Sequence, residues 1–145
     1  MKLWLKIILG LFILGIIAAA LVWKFYINKP QPDYEELKPD YAMTAAELYK
    51  NFINHPGEAN KLYLGKIIEV TGQLNKIETT DSLVTAVFVF DKGMFGDAGL
   101  RCTMMKKFND EARKLKTDGN VKLKGYCTGY NEGSDVIMEH CSLNY

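Results

Sequence analysis

The sequence predicts a mainly β protein, in which a small five-stranded barrel follows one transmembrane helix. Three observations indicate this class: a long uncharged stretch near the start, five later segments with strand patterning, and two short segments with helical spacing. The chain has 145 residues, about one domain's worth. Its composition, 48% hydrophobic and 12% aromatic, rules out general disorder.

Residues 1–27 are predicted to form a transmembrane signal-anchor helix. Residues 7–23 are 17 successive uncharged residues between Lys6 and Lys24, and as a helix they are about 26 Å long. Both lysines can extend their ammonium groups to the lipid headgroups. Aromatic residues suited to the membrane interface flank the stretch: Trp4, Trp23 and Tyr26. We therefore expect residues 3–27 to lie in a lipid bilayer.

A cleavable signal peptide is the alternative for this segment, with Ala18, Ala19 and Ala20 as small residues before a cut. We favour an uncleaved anchor, because residues 21–27 stay apolar after the alanines. Lys2, Lys6 and the amino terminus slightly outweigh Lys24 and Lys29, which places the start of the chain in the cytoplasm. The sequence thus predicts a single-pass protein of the cell membrane whose C-terminal domain is extracytoplasmic.

The anchor is followed by a predicted linker and a short helix. Residues 28–43 contain three prolines, which disfavour a continuous helix, so this stretch is predicted to be a tether. Thr44-Ala-Ala-Glu47 matches a capping box at a helix start. Apolar residues then recur at helical spacing until His55-Pro56-Gly57.

The remaining segments are predicted as five strands in residues 44–145, with a second helix between the third and fourth. The strands are Ile68–Asn75, Leu83–Phe90, Leu100–Met104, Val121–Cys127 and Val136–Leu143. Asp91–Gly99 holds three glycines and is predicted to be a loop, as is Asn75–Asp81. The second helix is predicted from near Asn109 to Asp118-Gly119. This element order is that of the OB-fold, a partly open Greek-key barrel.

Three stretches resemble the tRNA-anticodon-like OB-fold family. They are Asn60-Lys-Leu-Tyr-Leu-Gly-Lys-Ile-Ile-Glu-Val-Thr-Gly72, Val121-Lys-Leu-Lys-Gly-Tyr-Cys-Thr-Gly-Tyr130 and Asp135-Val-Ile-Met-Glu-His-Cys141. The resemblance spans about residues 44–143. It implies an exported or membrane-tethered OB domain, and the family name refers to the fold rather than to tRNA binding.

Charge argues against nucleic-acid binding. The segment after Asn28 has 15 basic and 17 acidic residues, a net charge of −2, and so lacks the usual basic footprint. One local cluster is positive, with six cations against Asp110 and Glu111 between residues 101 and 116. Nucleic-acid binding therefore stays as an alternative. Acidic residues are scattered and no nucleophile motif occurs, so we expect a non-catalytic protein.

The predicted function is a binding module that recognises a protein, peptide or glycan at the cell envelope. OB barrels bind through their second and third strands and the neighbouring loops. Met94 and Phe95 lie between glycines in such a loop and either contact a partner or fold back on the barrel. The candidate binding residues are Met94, Phe95, Arg101, Lys106, Lys107, Tyr126 and Tyr130.

Three cysteines, Cys102, Cys127 and Cys141, are disulfide candidates in an exported domain. A three-residue turn would place Cys127 opposite Ile137, so a bridge from Cys127 to Cys141 needs a bulge or another register. Pairing of Cys102 with Cys141 is equally open, and so are three buried free thiols. The sequence has no Cys-x-x-Cys spacing, so no zinc site or other metal site is predicted.

One alternative involves a cofactor. A membrane-anchored OB domain with a histidine shortly before a tyrosine resembles the haem chaperone of cytochrome c maturation, whose haem is attached in a His-x-x-x-Tyr motif. Here His140 precedes Tyr145 with one residue more, and His140 falls inside the predicted fifth strand. Apart from this haem alternative, we predict no cofactor.

Overall fold

The computed structural model describes residues 3–28, 32–93, 95–131 and 134–144. Predicted features that involve the remaining residues lie outside this part of the chain: Met1, Lys2, Lys29, Pro30, Gln31, Met94, Glu132, Gly133 and Tyr145. The chain divides into two compact units, one up to Pro32 and one from Asp33 onward.

The first unit is a long apolar helix. Helix α1 spans Leu3–Val22 and continues as a π-helical segment, Trp23–Ile27. Within the described residues, one helix is long and apolar enough to cross a membrane, and it comprises Leu3–Ile27. An N-terminal signal sequence would have the same length and composition, so the finding is a membrane anchor or a signal.

The second unit begins with a strand and two helices. Strand β1 (Tyr41–Thr44) leads into α2 (Ala45–Asn54), and α3 spans Pro56–Tyr63. The predicted capping box is present, because the Thr44 hydroxyl accepts the Glu47 N–H at 3.2 Å and the Glu47 carboxylate accepts the Thr44 N–H at 2.9 Å. These hydrogen bonds hold the pKa of Glu47 below its usual value.

Helix α3 was not predicted from the sequence. His55-Pro56-Gly57 ends α2 as expected, yet the same residues start the next helix. Proline is favourable in the first turn, since its missing N–H would have no partner there. A proline after a helix therefore marked a boundary between two helices rather than the start of a loop.

Six further strands complete the unit. They are β2 (Ile67–Gln73), β3 (Lys76–Thr80), β4 (Leu83–Gly93), β5 (Gly96–Met104), β6 (Asn120–Tyr130) and β7 (Val136–Leu143). A 3₁₀ turn, Lys106–Phe108, and helix α4, Asn109–Ala112, lie between β5 and β6. The second helix is thus in the predicted interval but much shorter, because the chain turns after Ala112 through bonds such as Leu115 N–H to the Ala112 carbonyl.

The strands form one mixed sheet in the order β1-β2-β6-β7-β5-β4-β3. The pairs β1/β2 and β5/β7 are parallel, and the other four are antiparallel. Five strands were predicted and seven are found. One addition is β1, inside the predicted linker, and the other is β3, inside a predicted loop.

Strands β2 and β3 are separate because the two residues between them bond in different directions. The Leu74 N–H donates to the Gly119 carbonyl, before β6, and the Asn75 N–H donates to the Val87 carbonyl, on β4. The predicted first strand therefore ends at Gln73 instead of Asn75. The break lets β3 lie at one end of the hydrogen-bonded order while β2 lies next to β1 at the other.

Most of the predicted loop Asp91–Gly99 is strand. Strand β4 continues to Gly93 and β5 starts at Gly96, with Lys92 paired to Asp97. Cross-strand hydrogen bonds decide the structure here, in spite of the glycines. A register shift between Val89 and Asp91 and a positive φ of 121° at Gly96 accommodate the tight hairpin.

The core lies between the sheet and helices α2 and α3. Its largest fully buried side chains include Phe52 from α2, Phe88 from β4 and Leu100 from β5. Two glycines allow close packing: a Cβ on Gly99 would lie 1.8 Å from the Phe88 carbonyl oxygen, and one on Gly125 would lie 2.4 Å from the Cys141 sulfur. Sheet and helices together provide a rigid scaffold for the surface residues.

Candidate functional site

The tip of the β4–β5 hairpin presents an exposed aromatic side chain. Phe95 is 95% exposed, whereas Phe90, farther down β4, is 39% exposed and packs against Tyr49 with a ring separation of 5.4 Å. Phe95 therefore points away from the core instead of covering the barrel end. Met94, the other predicted residue of this pair, lies outside the described residues.

Arg101 lies on the outer face of β5 within an ion-pair network. Its Nε donates to the Asp135 carboxylate at 2.8 Å, and its Nη1 donates to Glu78. Lys76 also pairs with Glu78, at 3.0 Å, and lies 3.6 Å from Asp97. Hydrogen bonds from Lys76 and Arg101 lower the pKa of Glu78, against the effect of burial.

Asp135 is the buried member of this network. Its second carboxylate oxygen accepts the Gly99 N–H at 2.9 Å, so the carboxylate joins β5 to the start of β7. Arg101 is therefore held between two carboxylates and its charge is neutralised locally. This candidate residue has a structural role that does not leave its charge available to a phosphate group.

The other predicted basic residues are only partly free. Lys107 forms an ion pair with Glu35, and Arg113 pairs with Asp110 at 3.0 Å, while Lys106 is exposed. Within the described residues, half of the six cations of the predicted basic cluster are thus paired: Arg101 and Lys107 with carboxylates from other parts of the chain, and Arg113 with a carboxylate of the cluster itself.

The two candidate tyrosines of β6 lie in different surroundings. Tyr130 is half-buried and packs near Phe52, with ring centroids 6.1 Å apart. Tyr126 instead contacts Tyr34 edge to face, with ring centroids 5.7 Å apart. Both tyrosines are half-buried: Tyr130 borders the core, and Tyr126 lies against Tyr34.

Tyr34 belongs to a segment that sequence reasoning missed. Residues 33–37, called here the docked segment, were predicted as part of a tether but lie on the face formed by β6 and β7. The Lys124 ammonium donates to the carbonyl oxygens of Glu35, at 2.6 Å, and Leu37, at 2.8 Å. The pattern of tyrosine, acidic residues and leucine between prolines was the only local signal, and contacts with residues 89 positions away are not readable from it.

His140 contacts the same segment. Its ring stacks on Tyr34 with centroids 4.3 Å apart and planes 1° from parallel. His140 lies inside β7 rather than beyond the last strand, and one face of its ring is covered. Tyr145 lies outside the described residues. These surroundings do not fit the haem-carrying histidine of the alternative hypothesis.

The three cysteines are buried free thiols, and no disulfide is formed. Cys102 and Cys127 both pair with Met138 in the sheet, one from each side, and Cys141 pairs with Met104. The predicted register, with Cys127 opposite Ile137, is wrong because the connection between the strands is longer than three residues: Tyr130 pairs with Val136 instead of Ser134, and the register shift between Cys127 and Gly129 recovers only one of the two residues of offset. Within the described residues, no group of three or more His, Cys, Asp or Glu side chains is arranged to hold a metal ion.

Burial controls the chemistry of these thiols. It raises the pKa of Cys127 to about 11 and raises the pKa of Cys141 well above its usual value. A buried thiol with a raised pKa holds little thiolate at neutral pH and is a poor nucleophile. The cysteines therefore act as packing residues in this structure.

The described part of the chain is thus a mainly β domain, a mixed sheet with helices, preceded by an apolar helix that is a membrane anchor or a signal. The tRNA_anti-like family model matches residues 1–143, and the chain belongs to this family. No curated protein matches the chain.

A solved structure supports the fold. The crystal structure of a "putative nucleic acid-binding lipoprotein" from Klebsiella pneumoniae is similar with a TM-score of 0.54 and 13% sequence identity. The similarity covers 81% of this chain and 100% of that one. At this level of identity, it establishes the shared fold.

Proposed function

We propose that this protein is a membrane-anchored OB-fold module that binds a protein or peptide partner outside the cytoplasm and catalyses no reaction. The observation that carries the proposal is the exposed Phe95 at the tip of a long hairpin. Aromatic side chains dominate the binding energy of many protein interfaces, because they bury a large area with few rotatable bonds.

The position of the hairpin within the fold supports this role. Strands β2 and β3 are separated by two residues that bond to opposite neighbours, and we infer that together they act as the first strand of a five-stranded barrel. Then β4 and β5 are the second and third barrel strands, from which OB-folds recognise their partners. Phe95 lies at the end of this pair, rimmed by exposed charges of both signs, Lys92 and Asp97.

Charge favours a protein or peptide over nucleic acid. The Klebsiella neighbour is described as nucleic acid-binding, and an exposed phenylalanine could stack on a base. However, such sites combine aromatic residues with a basic groove, and Arg101 on this face is paired with Glu78 and Asp135. The net charge of −2 after Asn28 acts in the same direction.

The extracytoplasmic location is part of the proposal. Its support is the slight excess of positive charge before the apolar stretch, at Lys2 and Lys6. An amine-reactive reagent that does not cross membranes should label lysines of the unit from Asp33 onward in intact cells. Labelling only after lysis would place this unit in the cytoplasm and contradict the proposal.

Site-specific photocrosslinking tests the binding surface. A photoreactive phenylalanine analogue replaces Phe95 in the full chain in its native membrane, and a control carries it at Leu83, which is 47% exposed at the start of β4. We expect a discrete protein adduct from position 95, lost when an unlabelled full chain is overproduced, and none from position 83. Adducts with nucleic acid, or no adduct from position 95, would contradict this function.

A further inference from the structure

The β6–β7 face contacts both the backbone and the side chains of the docked segment. We propose that this face is a binding site for a partner peptide that forms a turn like that of residues 33–36 and has an aromatic residue followed by an acidic one. The docked segment, residues 33–37, fills the site until such a peptide displaces it. The inference deepens the proposed function by adding a second surface, distinct from the hairpin tip.

The aromatic part of the site consists of His140 and Tyr126. His140 stacks on the Tyr34 ring at 4.3 Å, and Tyr126 approaches its edge at 5.7 Å. Stacked and edge-to-face contacts on the same ring fix its position. A small aliphatic side chain in the place of Tyr34 would leave both contacts unmade.

Two lysines recognise the rest of the segment. Lys124 donates to the carbonyl oxygens of Glu35 and Leu37, which lie two residues apart, and these contacts are independent of side-chain identity. Lys107 pairs with the Glu35 carboxylate and therefore selects an acidic residue. Together these contacts require an aromatic ring, a carboxylate on the next residue and two backbone carbonyl oxygens. A peptide that contains Tyr-Glu supplies all three.

The backbone of β7 is distorted where it forms this site. His140 has a φ of +52°, which is unfavourable for a residue with a side chain, and the β6–β7 register shifts between Lys124 and Tyr126. Bulges of this kind redirect a side chain out of the regular pleat. The distorted backbone thus directs the His140 ring toward the docked segment.

The docked segment is held mainly by exposed contacts. Tyr34 is half-buried, while Glu35, Glu36 and Leu37 are exposed. The described backbone hydrogen bonds from this stretch to the sheet begin only at Asp40, with the Ile67 carbonyl. Segments with few buried contacts open at low free-energy cost, so a partner peptide can replace this one.

Peptide binding in trans tests the proposal. The double variant Tyr34→Ala/Glu35→Ala of the full chain, in detergent micelles, opens the site. The probe is a fluorescently labelled peptide with the sequence of residues 32–38, Pro-Asp-Tyr-Glu-Glu-Leu-Lys. A control peptide carries alanine in place of the tyrosine and the first glutamate. Fluorescence anisotropy measures binding.

We expect the peptide to bind the opened variant and to bind the wild-type chain about tenfold more weakly. A tethered segment competes at an effective concentration on the order of 1 mM, so a peptide with a Kd of about 100 µM gives this ratio. In the opened background, Lys124→Met should weaken binding by at least tenfold, since it removes both hydrogen bonds from the charged donor to the bound backbone. Lys106→Met removes the same charge from an exposed site and should change binding less than twofold.

Equal binding to wild type and opened variant, no binding to either, or equal binding of the control peptide would overturn the proposal. So would displacement of the peptide by a single-stranded oligonucleotide at low micromolar concentration, which would assign the face to nucleic acid. Failure here leaves the crosslink from position 95 unaffected, so the two proposals fail independently.

Discussion

Replacement of Gly125 by alanine tests the β6–β7 packing directly. Gly125 pairs with Ile68 on β2, and on its other side it lies against β7. An added Cβ would lie 2.4 Å from the Cys141 sulfur and 3.2 Å from the Glu139 carbonyl oxygen. Carbon and sulfur atoms are normally in contact near 4 Å, so one of the two strands must move.

The size of the expected loss of stability follows from the tight packing around Gly125. Cys141 is fully buried, and β6 is hydrogen-bonded to strands on both sides. Overpacking of a core costs about 1–3 kcal/mol, and a contact with a backbone oxygen places this substitution at the upper end. A loss of about 3 kcal/mol in the free energy of unfolding lowers the Tm of a unit of this size by roughly 12 °C.

Thermal unfolding of the full chain in micelles, followed by far-UV circular dichroism, measures this loss. Tryptophan fluorescence does not report on the β unit, since Trp4 and Trp23 both lie in the apolar helix. Gly57→Ala is the matched control, because a Cβ there meets no atom within 4 Å, and it should change stability by less than about 0.5 kcal/mol.

A double-mutant cycle identifies the clashing atom. Cys141→Ala removes the sulfur, so in that background Gly125→Ala should cost at least about 1 kcal/mol less than in the wild type. Additive effects within about 0.5 kcal/mol would show that the Cys141 sulfur does not lie over Gly125. The β6–β7 register, and with it the position of His140, would then be wrong.

Three further predictions concern the strands, the helix cap and the thiols. Gly99→Ala places a Cβ 1.8 Å from the Phe88 carbonyl oxygen, so we expect no folded protein, checked by circular dichroism of the purified chain. Thr44→Ala removes the α2 cap and should lower the free energy of unfolding by about 1 kcal/mol in urea titrations. The pKa of Cys127, about 11 when folded against 9.0 for an ordinary thiol, means that the unfolded state loses this proton first. Stability should therefore fall by about 2–3 kcal/mol between pH 9 and 11, and Cys127→Ala should remove that part of the pH dependence.

Local signals in the sequence predicted several elements well. The capping box at Thr44 and Glu47 is present as expected, and β7 spans Val136–Leu143 as predicted. The apolar helix also lies where the uncharged stretch placed it. In each case neighbouring residues determine the structure, through a reciprocal hydrogen bond or a continuous apolar pattern.

The errors in the fold arose where distant residues determine the structure. The Asp91–Gly99 stretch is rich in glycine, yet cross-strand pairing makes most of it strand. Lys76–Thr80 has turn residues at its end but pairs with β4. Strand β1 gains its hydrogen bonds from β2, more than 20 residues later. Propensity summed over a short window does not contain these contacts.

In the candidate site, too, the sequence predicted local features and did not predict contacts between distant residues. Glycines on both sides led to the selection of Phe95 as a candidate binding residue; the structure places it at an exposed tip, and its role stays a prediction. Tyr34 and Lys124 were missed, because their significance lies in a contact between a predicted tether and a strand. Sequence reasoning thus selected a residue at an exposed hairpin tip, and it did not find residues whose importance depends on contacts between distant parts of the chain.

Ion pairs between distant residues also change the charge pattern that the sequence predicts for the surface. Arg101 pairs with Glu78 and Asp135, 23 and 34 residues away, and Lys107 pairs with Glu35, 72 residues away. Two cations of the cluster are therefore compensated by carboxylates from distant parts of the chain, and the surface potential that would hold a polyanion is reduced at these two positions. At these positions lie an ion-pair network with one more carboxylate than cations, around Arg101, and the docked segment held by lysines. If the proposed function holds, the second of these surfaces binds a peptide partner only when that partner supplies an aromatic ring and a carboxylate in place of Tyr34 and Glu35.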